Sequence, residues 1–278
     1  PADHARRGVA LVDLTDLSNG LDEPGVERLC ARAMTPLGPV AAVCLWAGFV
    51  PQARRLLKDT GIRVATVVNF PGGGDDVTRA ADEARYALLD GADEIDVVMP
   101  WRALKDRHAE VVGALLGAVK AVMPPGRTLK VILETGELAH PDLVRQAARI
   151  AIGTGADFIK TSTGKTPVSA TPVAVRIMLE EIRAAAKKLA SICGNMNTII
   201  DNQMFNARLL DLPAERELVD VGEVVAAAVE SFPLRGGSPR DLIVTDTTPG
   251  LTAVAHREML RQVIHNLISN AAKAIQAG

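Results

Sequence analysis

Between Val9 and Ala186, short apolar runs rich in Val and Ile alternate with longer stretches whose apolar residues recur every three to four positions. The short runs read as buried strands and the longer stretches as amphipathic helices, so the alternation describes successive βα units of a parallel sheet. Strands are expected near 9–15, 40–46, 62–69, 94–99, 128–135 and 157–161, and helices near 24–33, 50–60, 77–90, 107–123, 140–153 and 171–186. Closing a parallel barrel takes about eight strands, so these six predict an open arc with two unpaired edges.

Beyond Ala186 the pattern changes. Leu189, Ile192, Met196, Ile199 and Leu210 keep a three-four spacing interrupted by Gln203 and Asn206, which predicts a helix over 187–210 that packs against a partner. LIVTD (242–246) and TAVAH (252–256) predict two strands joined by a short turn. Such a hairpin cannot stand in for two parallel βα units, each of which needs a crossover of about a dozen residues. SFPLRGGSPRD (231–241), rich in Gly, Pro and Ser, reads as a loop. The expected division is therefore 1–186, 187–211 and 212–278, the last a small partial α/β sandwich.

Composition narrows the function. A chain of 278 residues that is 48% hydrophobic can bury one large core, or a medium core and a small one. A net charge of −2 and only 3% aromatic residues argue against a nucleic-acid partner, because they supply neither a basic field nor a stacking surface. Cys30, Cys44 and Cys193 show no CxxC spacing and read as reduced thiols. No apolar run approaches the ~20 residues of a membrane span, and PADHARRG has no hydrophobic signal core. A cytoplasmic chain without a membrane partner is the expectation.

Candidate chemistry concentrates in GADFIKTSTGKTPVSATP, Gly155 to Pro172, where an apolar strand ends on Lys160 and small hydroxyl residues follow. Strand ends in a parallel α/β arc point into the mouth of the site, and an amine among apolar walls loses the solvation that keeps it protonated. An unprotonated lysine attacks carbonyls and forms a Schiff base. The competing reading is a lysine whose stem packs at the rim while its charge stays in water. In EIDVVMP, Asp96 alternates with apolar residues and so points inward, where burial raises a carboxyl pKa and an adjacent ammonium lowers it. A structural ion pair with a lysine is the alternative role for Asp96. Asp13, Thr15, Cys44, Asn69, Glu134 and Thr161 are the other polar residues at strand ends, and Cys44 also reads as a small buried hydrophobe.

LVDLTDL (11–17), AAVCLW (41–46), IRVATVVNFPGG (62–73), GADEIDVVMPWRAL (91–104), LKVILETGEL (129–138) and GADFIKTSTGK (155–165), in that order, closely resemble the 2-deoxyribose-5-phosphate aldolases from Leu11 to about Ala186. The resemblance implies an incomplete (β/α)8 barrel and a cofactor-free Schiff-base aldolase. Such an enzyme cleaves a phosphosugar, 2-deoxyribose 5-phosphate, to glyceraldehyde 3-phosphate and acetaldehyde. It gives the Schiff base to Lys160, proton relay to Asp96, and the substrate hydroxyls to Asp13 and Thr15. Cys44 falls near the site, and Gly164 with Lys165 matches a phosphate-contacting position. The family's second lysine and its main phosphate loops, carried on the last two βα units, do not follow Ala186, so weakened activity is expected. Lys130 and Lys165 are the nearby cations that could substitute, with Lys130 sharing a face with Ile132 and Glu134. Trp46, Ala47 and Gly48 stand where the family has Tyr-Pro, which implies a reshaped mouth.

From about Lys187 the chain resembles a sensor histidine kinase. The helix over 187–210 resembles its second dimerisation helix, and 209–232 its linker with the first strand and helix of the ATP-binding domain. REMLRQVIHNLISNAAKAIQAG (257–278) resembles the asparagine-bearing helix of that domain. The resemblance implies nucleotide contacts from Asn266, Asn270 and Lys273 on one helical face, with Asn270 on the Mg²⁺ of Mg-ATP. Three readings therefore stand side by side: an aldolase, an ATP-binding signalling fragment, and a chimeric chain with neither activity. Self-association through exposed strand edges or the 187–210 helix is a further expectation.

Overall fold

The computed structural model describes residues 2–210, 216–231 and 249–277. The chain divides into two units, Pro1–Ser191 and Ile192–Gly278.

In the first unit six strands form one parallel sheet in sequence order: β1 (Asp13–Thr15), β2 (Ala42–Leu45), β3 (Arg63–Val68), β4 (Glu94–Val98), β5 (Thr128–Ile132) and β6 (Phe158–Lys160). Among the described residues β1 and β6 pair on one side only, so the arc is open. Helices α1 (Ala2–Val9), α2 (Glu23–Arg32), α3 (Val50–Leu56), α4 (Val77–Leu89), α5 (Ala109–Ala121), α6 (Pro141–Gly153) and α7 (Pro172–Leu210) flank or connect the strands. Local chemistry sets several of these boundaries. Asp22 and Asp76 cap α2 and α4 by accepting from the Gly25 and Arg79 backbone N–H groups.

Several boundaries differ from the sequence expectation. The first strand begins at Asp13, not near residue 9, because residues 2–9 are helical. The fifth ends at Ile132, not 135, because Glu134 turns into the left-handed region (φ 55, ψ 58) and starts a one-turn helix, Thr135–Leu138. The helices expected at 171–186 and 187–210 are one continuous helix. Ala-Lys-Lys at 186–188 contains no Gly or Pro to interrupt it.

Side-chain alternation gives the sheet two unlike faces. Leu45, Val64, Ile95, Val97, Leu129 and Val131 point outward and build the main core with the helices. The inner face carries a small apolar patch of Ala42, Cys44, Ala65 and Val67, joined by Leu17, Trp46 and Phe70.

In the second unit β7 (Glu217–Asp220) pairs antiparallel with β8 (Thr252–Ala255), Thr252 opposite Asp220. Helices α8 (Val221–Glu230) and α9 (Arg257–Ala277) belong to the same unit, whose buried residues include Val219, Val224 and Ala228. The described partner of the TAVAH strand is thus β7; residues 242–246, expected to precede it as a strand, lie outside the described residues. Among the described residues no helix is long and apolar enough to cross a membrane.

Candidate active site

Parallel register decides which side chains meet on the inner face. Thr15 stands beside Cys44, Asp96 beside Lys130, and Ile132 beside Lys160. Positions two apart along a strand share a face, so Asp13, Glu94, Asp96, Lys130 and Lys160 converge there. Three carboxylates and two amines form one network. Lys160 Nζ donates to Asp96 Oδ2 and lies 3.8 Å from Asp13 Oδ2. Lys130 Nζ contacts Asp13 Oδ2 at 2.5 Å, Asp96 Oδ1 at 3.6 Å and the Glu94 carboxylate. Asp96 has no solvent exposure at all, whereas the Lys160 side chain keeps about a third of its surface (32%).

Lys130 is buried, and desolvation alone would lower its pKa. The Asp96 charge and the hydrogen bonds to Asp13 and Glu94 outweigh that cost and hold its ammonium above the usual lysine range. Glu134, which strand spacing places on the face of Lys130, is engaged elsewhere: its carboxylate accepts hydrogen bonds from Thr163 and Thr166. The counter-charges to Lys130 are Asp13, Glu94 and Asp96.

A cavity of about 250 Å³ opens at the strand ends, lined among others by Thr15, Cys44, Asp96, Lys160, Thr163 and Gly164. Its size suits a small metabolite. Burial, followed by the nearby Asp96 charge, pushes the Cys44 thiol up to about 12, so Cys44 faces the cavity as a neutral thiol. Thr15 donates its hydroxyl to the Asp13 carbonyl at 3.0 Å. Gly164 takes φ 74, a conformation that suits glycine. Lys165 does not line the cavity; its Nζ donates to the Leu17 carbonyl at 2.9 Å.

Sequence reasoning passed over Phe70 and Ser162. Phe70, which lines the cavity, meets Trp46 edge-on at 5.6 Å, and Trp46 Nε1 donates to the Ser18 carbonyl. Ser162 lines the cavity with a buried Oγ that has no hydrogen-bond partner among the described residues. The run of hydroxyl residues after Lys160 was the available signal for it.

In the second unit, Asn266 Oδ1 accepts from Gln262 Nε2 at 3.1 Å. Asn270 and Lys273 fall within α9, but their side chains lie outside the described residues. Among the described residues no group of three or more His, Cys, Asp or Glu is placed to hold a metal ion.

An amine paired with a buried carboxylate over a cavity at the C-terminal ends of parallel strands places the first unit in the α/β-barrel class of enzymes. Comparison with known proteins narrows the class. The sequence profile of the DeoC/LacD family aldolases matches residues 9–201. A deoxyribose-phosphate aldolase of Agrobacterium fabrum is 44% identical over 207 residues, which cover 74% of this chain and 80% of that protein. Among solved structures, a candidate deoxyribose-phosphate aldolase from Toxoplasma gondii superposes with a TM-score of 0.64 at 30% identity, over 70% of this chain and 74% of its own. The deoxyribose phosphate aldolase of Aeropyrum pernix gives 0.56 at 25% identity, over 64% and 74%. The chain belongs to the DeoC/LacD family of aldolases.

Proposed function

We propose that the first unit is a class I aldolase that cleaves 2-deoxyribose 5-phosphate through a Schiff base on Lys160. The observation that carries this reading is the contact of the Lys160 amine with the buried Asp96 carboxylate at the cavity wall. Lys160 Nζ adds to the C1 aldehyde of the open-chain sugar, and loss of water leaves a protonated imine. Asp96, acting through water, moves the protons of this addition and dehydration. Removal of the C3 hydroxyl proton then breaks the C2–C3 bond, whose electron pair passes to the iminium to form an enamine as glyceraldehyde 3-phosphate leaves. Protonation at C2 and hydrolysis release acetaldehyde and restore the amine. Asp13 and Thr15 serve the sugar hydroxyls, Cys44 packs against the sugar, and Gly164 with Lys165 serves the phosphate end once Lys165 leaves the Leu17 carbonyl. No step calls for a metal or organic cofactor.

The rate is held down by charge compensation. Lys130 is matched by three carboxylates and contributes no net positive field toward Lys160. Within this reading residues 1–186 form the aldolase part, 187–211 a helical segment, and 212–278 a separate piece. For that last piece, the resemblance of 257–278 supports weak Mg-ATP binding through Asn266, Asn270 and Lys273. The deciding experiment is borohydride trapping with acetaldehyde followed by peptide mapping. A stable adduct on Lys160 is expected; no adduct, or one confined to other lysines, refutes the reading.

A further inference from the structure

The loop after Lys160 supplies Ser162, Thr163 and Gly164 to the cavity wall, and one buried carboxylate from the neighbouring strand end holds that loop. Glu134 has no solvent exposure, and its left-handed backbone is one that residues other than Gly, Asn and Asp rarely adopt. From this turn Glu134 Oε2 accepts from Thr163 Oγ1 at 2.5 Å, and both carboxylate oxygens accept from the Thr163 backbone N–H at 3.3 Å. Oε1 also accepts from Thr166 Oγ1 at 3.1 Å. Among the described residues, the side-chain hydrogen bonds of Glu134 all go to this loop. Backbone contacts on either side continue the clamp: Leu133 N–H donates to the Lys160 carbonyl at 2.9 Å, and Thr135 N–H to the Thr161 carbonyl at 2.8 Å. Gly136 lies so close that a Cβ there would stand 2.1 Å from the Val168 carbonyl oxygen.

We propose that Glu134 is a positioning residue for the reaction. By fixing the loop over 161–168, it sets Thr163 and Gly164 against the hydroxyl and phosphate end of the substrate while leaving the Lys160 amine untouched. This inference rests on the aldolase reading above. A carboxylate suits the task because it only accepts, and every group aimed at it is a donor. An amide would turn one of its two acceptors into a donor pointed at Thr163 or Thr166.

The test compares Glu134→Gln and Thr166→Val with the unaltered chain in three measurements. They are hydrogen exchange of peptides over 160–169, borohydride trapping of acetaldehyde on Lys160, and cleavage of 2-deoxyribose 5-phosphate against unphosphorylated 2-deoxyribose. In both variants exchange should quicken in the loop, and trapping should stay within about twofold. KM for the phosphosugar should rise by roughly tenfold, the effect of losing one hydrogen bond to a charged group, and by less for the unphosphorylated sugar. Unchanged exchange and KM would overturn the proposal. Trapping and cleavage that fall in parallel would also overturn it, because a merely structural carboxylate moves both together. If the unaltered chain traps no acetaldehyde, the aldolase reading itself fails, and the exchange comparison still decides whether Glu134 holds the loop.

Discussion

Replacing Lys130 by methionine tests whether the inner-face charges hold the arc together. The substitution keeps most of the side-chain volume and removes the ammonium that meets Asp13 at 2.5 Å and Asp96 at 3.6 Å, with Glu94 also in contact. At an effective dielectric near 20 each such contact is worth roughly 4–7 kcal/mol before desolvation. Breaking a buried pair by removing one partner typically leaves a net loss of about 3–5 kcal/mol. For a unit of this size, about 2–4 °C per kcal/mol converts that loss into a melting temperature lowered by about 6–20 °C. The sign of the pH dependence is also fixed. In the unaltered chain the raised Lys130 pKa gives stability present below 10.5 and lost as the pH climbs above it, so the deficit of the variant should shrink as the pH rises past 10.5. Thermal melts of both proteins between pH 7 and 11, followed by circular dichroism, supply the measurement. A melting temperature lowered by less than about 2 °C, or a deficit that does not change with pH, would refute the electrostatic account.

Three further outcomes are expected. Cleavage of 2-deoxyribose 5-phosphate should run at least ~100-fold below that of an intact family member, the usual cost of one lost electrostatic group, and Lys160→Ala should abolish trapping. Comparable turnover in a coupled assay would show that a cation other than the family's second lysine compensates. Cys44, with its thiol at about 12, should hold about a thousandfold less thiolate at pH 8 than in the unfolded chain, so iodoacetamide should label it only after denaturation. Rapid native labelling at pH 8 would contradict that burial. Mg-ATP should bind no tighter than about millimolar in calorimetric titration, and micromolar binding abolished by Asn270→Ala would make the nucleotide-binding reading the leading one.

The order of the six strands was legible because short apolar runs alternate with helices whose starts are marked locally, as by the caps at Asp22 and Asp76. Lys160 and Asp96 could be singled out because each is a charged residue set among apolar neighbours. What could not be read was partner choice. Spacing places Lys130 and Glu134 on one face, but the left-handed turn at Glu134 carries its carboxylate to Thr163 and Thr166. Lys130 instead pairs with Asp13, 117 residues earlier and on a strand that is not its neighbour in the sheet, an association set by the curl of the arc and not by any local pattern. The continuity of α7 through 186–188 was not legible for a different reason: the change of pattern beyond Ala186 corresponds to no break in the backbone, since Ala-Lys-Lys contains nothing that interrupts a helix.

The unequal faces of the sheet bear on how such a chain can be assembled. The apolar area that drives folding lies between each strand and its own helices, while the inner face holds small residues and paired charges. Each βα unit therefore brings most of its cohesion with it and docks on its immediate predecessor in the sequence. Growth of this kind resembles adding courses to a curved wall. Every course is bonded to the one below. The charged groups of the site stand on the inner face and the apolar cohesion on the outer, so assembly and chemistry draw on different faces of the same sheet.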